Sequence, residues 1–172
     1  MSAGPYVSFA SLVAGVIFIA DQLSKYWVVQ LFWPSRGCDP FNKAQLIECR
    51  AEILPFMDFT MAWNTGISYG LLAQDSDLGR WLLTLFSIVA AIGFFVWAWR
   101  VEQRFLALSI GLIIGGALGN AVDRVVYGAV ADFVSLHGFG YYWYIFNVAD
   151  VAIVAGAAGL LYEMVIKPTK SP

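Results

Sequence analysis

The chain has 172 residues, of which 60% are apolar and 13% charged, against about a quarter charged in a water-soluble domain. Its 10 basic and 12 acidic side chains form no basic run, so the clustered Lys and Arg of a nucleic-acid surface are missing. The two cysteines, Cys38 and Cys49, and the one histidine, His137, form no Cys-x-x-Cys or mixed cluster; they fall short of the roughly four ligands of a structural zinc site, and neither metal nor cofactor is expected.

A membrane-crossing helix needs roughly 20 mostly apolar residues. Residues 1–172 read as one integral membrane domain with four such segments. The first runs from about Val7 to Leu31. It lacks the basic start of a cleaved signal peptide, and its apolar stretch is too long for one. Asp21 and Lys25 lie four residues apart within it and share a helix face. A self-neutralising ion pair and a functional role both remain open for them.

Residues 32–80 are polar and interrupted by Pro34, Pro40 and Pro55, which break helices. Cys38 and Cys49 lie here; a disulfide, if the segment faces an oxidising compartment, and two free thiols remain open. Phe56 to Trp63 mixes aromatic, β-branched and polar residues and is expected to form a strand. Phe139 to Phe146 is expected either to pair with it or to form a hairpin. The fold class is therefore a membrane all-α protein with a small β-rich platform at its outer face.

The second span is expected from Trp81 to Trp99 and the third from Phe105 to about Val122. The third contains Gly111, Gly115 and Gly119 at four-residue spacing, with Gly116 beside them. Such spacing lets helix backbones approach closely in lipid. The fourth span, from about Val148 to Ile166, repeats it with Ala152 and Gly156, and with Ala155 and Gly159. Spans three and four are expected to pack tightly, against each other in one arrangement. Arg100 and Arg104 occupy the short turn after span two, and Lys167 and Lys170 the C-terminal tail. Short basic loops stay in the cytoplasm. Both termini are thereby placed inside, and segments 32–80 and 123–147 outside. Arg36, Lys43 and Arg50 temper this bias. Tyr26, Trp27, Trp33 and Tyr141 to Tyr144 suit the outer membrane interface, where aromatic rings are favoured.

Ionisable groups in or beside membrane helices point to function by default. If helix three continues, Asn120, Asp123 and Arg124 share a face. Asp132 follows eight residues after Arg124. Asn147 is a good N-cap, and Asp150 falls in the first turn of span four, where a carboxylate satisfies free amides. Capping alone accounts for Asp150 taken singly. Yet Asp132 and Asp150 flank one excursion at the same membrane face. Two close carboxylates share a proton, because both cannot ionise cheaply. One then acts as general base on water and the other as acid. Ser68 and Ser135 offer hydroxyls, but a sole histidine makes a serine triad a poor alternative. A small transporter or scaffold is the rival of another class; transporter sites usually lie at the midplane within internal repeats, and no repeat is visible. The Gly-x-Gly-Asp motif of presenilin-type proteases is also absent.

Four segments in order resemble the lipoprotein signal peptidases (signal peptidase II) of bacteria: Asp21-Gln22-x-Ser24-Lys25; Asn64-Thr65-Gly66-Ile67-Ser68-Tyr69-Gly70, with Tyr where Phe is usual; Gly115 to Arg124 followed by Gly128-x-Val130-x-Asp132-Phe133; and Phe146-Asn147-Val148-Ala149-Asp150. The resemblance implies four membrane helices with an outward platform. It implies an aspartic endopeptidase of the bacterial inner membrane that cuts before the diacylglyceryl-modified cysteine of a prolipoprotein. It places the catalytic pair at Asp132 and Asp150, and polar support at Asp21, Lys25, Asn64, Asn120, Asp123, Arg124 and Asn147. Asp123 takes an orienting role, and Arg124 either pairs with it or binds a substrate oxygen. The expected partners are the lipid-modified substrate and membrane lipids, with the enzyme a monomer. Residues 36–53 are longer than the family's usual connection, and their structure is the least legible in the chain.

Overall fold

The computed structural model describes residues 4–42, 49–66 and 77–166. Lys43, Ile67 to Gly70 of the second motif, Lys167 and Lys170 lie outside the described residues. Four helices are long and apolar enough to cross a membrane: α1 (Val7–Tyr26), α2 (Asp77–Ala98), α3 (Arg104–Val126) and α4 (Val148–Ile166). Helix α1 continues through a π-helical stretch, Trp27–Phe32, into a last helical turn at Trp33–Ser35. Three bounds differ from expectation. The first helix runs past Leu31 to Ser35 and takes in Pro34, which sits at the start of its last turn. Helix α2 begins at Asp77, four residues before Trp81, and α3 runs past Val122 to Val126. The polar residues Asn120, Asp123 and Arg124 therefore stand on one continuous helix.

Helix α1 shows how the sequence sorts its faces. Leu12, Val16, Ile19 and Leu23 are exposed, whereas Ala10, Ala14, Asp21 and Lys25 on the opposite side are buried. The exposed side suits hydrocarbon; the buried side is small or polar because another helix meets it. That helix is α3, buried along more than half of its length and packed against α1, α2 and α4.

The glycine stripe serves two neighbours, not one. A Cβ on Gly111 would stand 2.6 Å from the carbonyl oxygen of Ala10, and one on Gly115 would stand 2.6 Å from that of Ala14. Both distances are far inside van der Waals contact, so the Gly-x-x-x-Gly face accommodates α1. The adjacent Gly116 accommodates α4, where its Cβ would meet the Ala149 carbonyl oxygen at 2.5 Å. From α4, Gly156 closes onto the Ser109 carbonyl of α3 at 2.6 Å. Spans three and four do pack together, but the longest glycine repeat faces span one. Association of helices in lipid depends on such contact, since the hydrophobic effect does not drive it.

At one end of the bundle stands an antiparallel sheet of order β1-β2-β3-β4, formed by Arg50–Leu54, Met57–Asn64, Val130–Gly138 and Tyr141–Phe146. The 139–146 segment pairs with β3 as a hairpin, not with β2. Its tip, Phe139-Gly140, has positive φ at both residues (52° and 82°), as a two-residue type I′ turn requires. Strands β1 and β3 were not expected. The end of α1 and the sheet share a core of Val28, Val29, Trp33, Cys49, Ala51, Met61, Ala131 and Phe133. Cys38 and Cys49 form a disulfide within this region.

Candidate active site

Polar side chains from five elements meet where the sheet joins the bundle. Lys25 of α1 is the cation at their centre, 2% exposed. Its ammonium lies 2.9 Å from Asp21 Oδ2, 2.8 Å from Asp123 Oδ2 and 3.0 Å from Asn120 Oδ1. Three acceptors match its three N–H bonds. Gln22 completes the group: its Nε2 donates to Asp21, to Asp123 Oδ1 at 3.1 Å and to the Gly119 carbonyl at 3.2 Å. Asp123 thus pairs with Lys25, not with Arg124. The pair at Asp21 and Lys25 is real, but it is part of a larger cluster.

Both carboxylates of this hub also hold backbone. Asp21 Oδ1 accepts the amide of Ala149 at 2.9 Å, and Asp123 Oδ2 accepts that of Ala131 at 3.1 Å. Ala149 immediately precedes Asp150, and Ala131 immediately precedes Asp132. One lysine therefore ties together the backbone positions that present both of the aspartates singled out in the sequence.

Asn147 and Asp150 form a reciprocal cap at the start of α4. Asn147 Oδ1 accepts the Asp150 amide at 2.9 Å, and Asp150 Oδ2 accepts the Asn147 amide at 3.2 Å. This satisfies two otherwise open donors. The capping role of Asp150 is present, but it uses only one carboxylate oxygen. Asp150 Oδ1 accepts from Asn120 Nδ2 at 2.9 Å.

Asp132 sits on β3, opposite Ala62, and its carboxylate is held by two amides. Asn147 Nδ2 donates to Oδ1 at 2.6 Å and Asn64 Nδ2 to Oδ2 at 3.1 Å. Each of the three asparagines has its own oxygen engaged by a donor: Asn64 by the Gly66 amide, Asn120 by Lys25 and Asn147 by the Asp150 amide. Their NH₂ groups are thereby aimed at the two aspartates. In this arrangement the three amides serve the carboxylates, in keeping with a support role.

Asp132 is 3% exposed. Burial, reinforced by the charge of Asp150, pushes its carboxyl up to about 7, against the pull of Asn64, Asn147 and Lys25. Near neutral pH this group exchanges a proton readily. Asp150 lies close enough to raise it by charge, and the two share the asparagine frame. Such a pair can move protons in both directions between water and a substrate carbonyl or leaving nitrogen.

Two apolar grooves flank α4 and end at this site. One, of about 420 Å³, runs between α2, α3 and α4 from Phe94 and Ala157 to Asn120 and Arg124. The other, of about 390 Å³, follows the far side of α4 beneath Leu136 and Trp143 to Asp150. Arg124 donates to the Asn120 carbonyl at 3.2 Å, while its Nε has no protein partner among the described residues.

Sequence reasoning missed a second polar cluster, on the sheet. Asp58, fully buried on β2, pairs with Arg50 of β1 and lies 3.0 Å from His137 of β3. Arg50 also donates to the Tyr142 hydroxyl of β4 at 3.0 Å. One residue from each strand takes part. No motif marks it, because its four members are scattered through the segments of least regular pattern.

A polytopic bundle carrying an asparagine-framed carboxylate pair at one end is the architecture of a membrane peptidase of the aspartic class. A family model described as signal peptidase (SPase) II matches residues 13–166, and the chain belongs to that family. It is 46% identical to a lipoprotein signal peptidase of Methylorubrum extorquens (strain PA1), over 88% of this chain and 82% of the relative. It is 41% identical to one of Rhodopseudomonas palustris (strain ATCC BAA-98 / CGA009), covering 90% and 91% of the two chains. Among solved structures, a bacterial membrane enzyme determined by the in meso method at 1.9 Å resolution is similar, with a TM-score of 0.73 and 27% identity. That match covers 98% of this chain and 99% of the other.

Proposed function

We propose that this member of the signal peptidase II family removes signal peptides from prolipoproteins with Asp132 and Asp150 as its catalytic pair. The observation that carries the assignment is the shared asparagine frame. Asn120 and Asn147 connect the two carboxylates, and Asp132 is buried enough to keep a proton near neutral pH. Asp132 carries the shared proton at rest. Asp150, at the start of α4 where the helix dipole favours an anion, acts as base on the attacking water. Asp132 donates to the carbonyl oxygen of the scissile bond, and the proton taken from water goes on to the leaving nitrogen. The bond cut is the one before the diacylglyceryl-modified cysteine.

The apolar grooves beside α4 suit acyl chains and the apolar core of a signal peptide. Arg124, with a guanidinium N–H to spare, is placed to bind a carbonyl or ester oxygen at the polar end of the larger groove. Asp21, Lys25, Asn64, Asn120, Asp123 and Asn147 hold the pair in place. The site faces outward from the bacterial inner membrane. Three features support this orientation: Arg100 and Arg104 at the opposite end of the bundle, the N-terminal Gly4 bonded to the Trp99 carbonyl at that same end, and a disulfide beside the site, which needs an oxidising compartment. The whole site lies within one chain, which is consistent with a monomer.

The test is cleavage of a diacylglyceryl-modified prolipoprotein and of its unmodified precursor by purified protein in detergent. Wild type is expected to cut only the lipidated form, and folded Asp132→Asn and Asp150→Asn neither. Near-full activity in either variant would remove that residue from the pair.

A further inference from the structure

The Cys38–Cys49 disulfide belongs to none of the four motifs, yet it is built into the support of Asp132. Cys49 is 6% exposed in the core behind the sheet, beside Trp33, Ala51, Met61 and Ala131. On the other side of the bond, the Cys38 amide closes the last turn of α1 onto the Trp33 carbonyl at 3.0 Å. The next residues, Asp39-Pro40-Phe41, leave that anchor and reach the end of β2. The Pro40 carbonyl accepts the Trp63 indole N–H at 2.7 Å. Phe41 stacks on Trp63 with ring centroids 5.5 Å apart and planes 19° apart, and Tyr127 at the end of α3 closes the trio 5.3 Å from Trp63.

Trp63 precedes Asn64, the last residue of β2 and the one that donates to Asp132 Oδ2. Beyond it the strand pairing ends. The terminal residues of a strand are those most prone to local opening, so Asn64 gains its fixed position from what holds Trp63. We infer that the Cys38–Cys49 bridge is a positioning element for catalysis: it anchors Pro40 and Phe41 on Trp63, and through Trp63 it holds the Asn64 amide on Asp132. Trp63 is a positioning residue by the same argument. This rests on the reading of Asp132 as catalytic.

A bridge that only stabilises the fold would change melting temperature and nothing else. A bridge that holds Asn64 does more. Charged groups facing Asp132 are Asp150 on α4, Lys25 on α1 and Arg124 on α3, and none of them depends on the bridge. The Asn64 bond does, and it favours the ionised carboxylate. Its loss therefore moves the Asp132 ionisation to higher pH.

The experiment compares wild type, wild type treated with a phosphine reductant, Cys38→Ala/Cys49→Ala, Trp63→Phe and Asn64→Ala. Each is assayed on the lipidated prolipoprotein across pH, at a temperature where near-ultraviolet circular dichroism shows it folded. Loss of one hydrogen bond to a charged group corresponds to about a tenfold fall in kcat and about one pH unit in the upper ionisation. That is the expected result for reduced wild type and for the double variant, with KM within about twofold. Reductant should not change the double variant further. Trp63→Phe, which keeps the stacking but loses the indole N–H, should shift both readouts in the same direction by less. Combined with Asn64→Ala, loss of the bridge should add little, because both act on one bond. A lowered melting temperature with unchanged kcat and pH profile overturns the proposal. Asp132→Asn runs alongside: if it stays active, the catalytic assignment fails; if it is inactive while loss of the bridge is silent, only the positioning role fails.

Discussion

Asp132 is held in an environment that costs the protein stability and, on the catalytic role proposed for it, supplies the chemistry. Between pH 3.8, the ordinary carboxylate value, and about 7, the folded chain keeps a proton that the unfolded chain has released. Stability therefore falls as pH rises through that window, by up to about 4 kcal/mol in all. Asp132→Asn removes this penalty and keeps a polar group between Asn64 and Asn147. At pH 8 the variant is expected to melt several degrees above wild type and to lose about 10²–10⁴-fold in activity. Paired thermal and kinetic measurements check both; a melting point that falls, or that rises equally at pH 4 and pH 8, contradicts the raised ionisation. The pair as a unit should give a bell-shaped pH–rate profile whose upper limb lies near 7. A single ionisation across the acid and neutral range would count against a shared proton. Lys25 offers the opposite case. Lys25→Met leaves Asp21 and Asp123 buried without their cation, and breaking such a pair costs about 3–5 kcal/mol. Since Asp21 and Asp123 hold the amides before Asp150 and Asp132, the pair proposed as catalytic, activity should fall with stability, as one denaturation series with matched assays would show.

The helices were legible and two of the strands were not, for a physical reason. Lipid requires long apolar runs, and those are visible without any partner. A strand in a small sheet depends on what lies on each face. β3 is buried over its first four residues, Val130 to Phe133, so it lacks the in–out alternation that marks a strand. β1 follows a proline-broken stretch, pairs with β2 and carries Arg50, which meets the buried Asp58. Asp132, found in the sequence as a motif residue, thus sits on an element that periodicity did not reveal. The glycine repeat shows the same limit: spacing announces close approach, but not which helix approaches. Gly156 and Gly15 provide a test at this scale. A side chain at Gly156 meets the Ser109 carbonyl and Ile113, whereas one at Gly15 meets nothing within 4 Å. Gly156→Leu is expected to destabilise by about 1–3 kcal/mol through overpacking and to lower activity by displacing α4. Gly15→Leu should be silent in both melting and cleavage assays.

At the scale of the whole molecule, every group assigned to catalysis lies at the sheet end of the bundle, and the Trp99–Arg104 turn lies at the other. The disulfide beside the site and the basic turn opposite it independently favour the same orientation, one through redox chemistry and the other through charge. The chain has no free cysteine, so one introduced thiol is a unique label. Phe139, at the tip of the β3–β4 hairpin, is fully exposed, and Arg100 is exposed at the opposite end. In spheroplasts, a membrane-impermeant maleimide is expected to label Phe139→Cys at once and Arg100→Cys only after lysis. Labelling in the reverse order would place the aspartate pair in the cytoplasm. There a disulfide would not persist. Because the disulfide and the aspartate pair lie at the same end of the bundle, a topology that gives Cys38 and Cys49 an oxidising medium also puts Asp132 and Asp150 on that side.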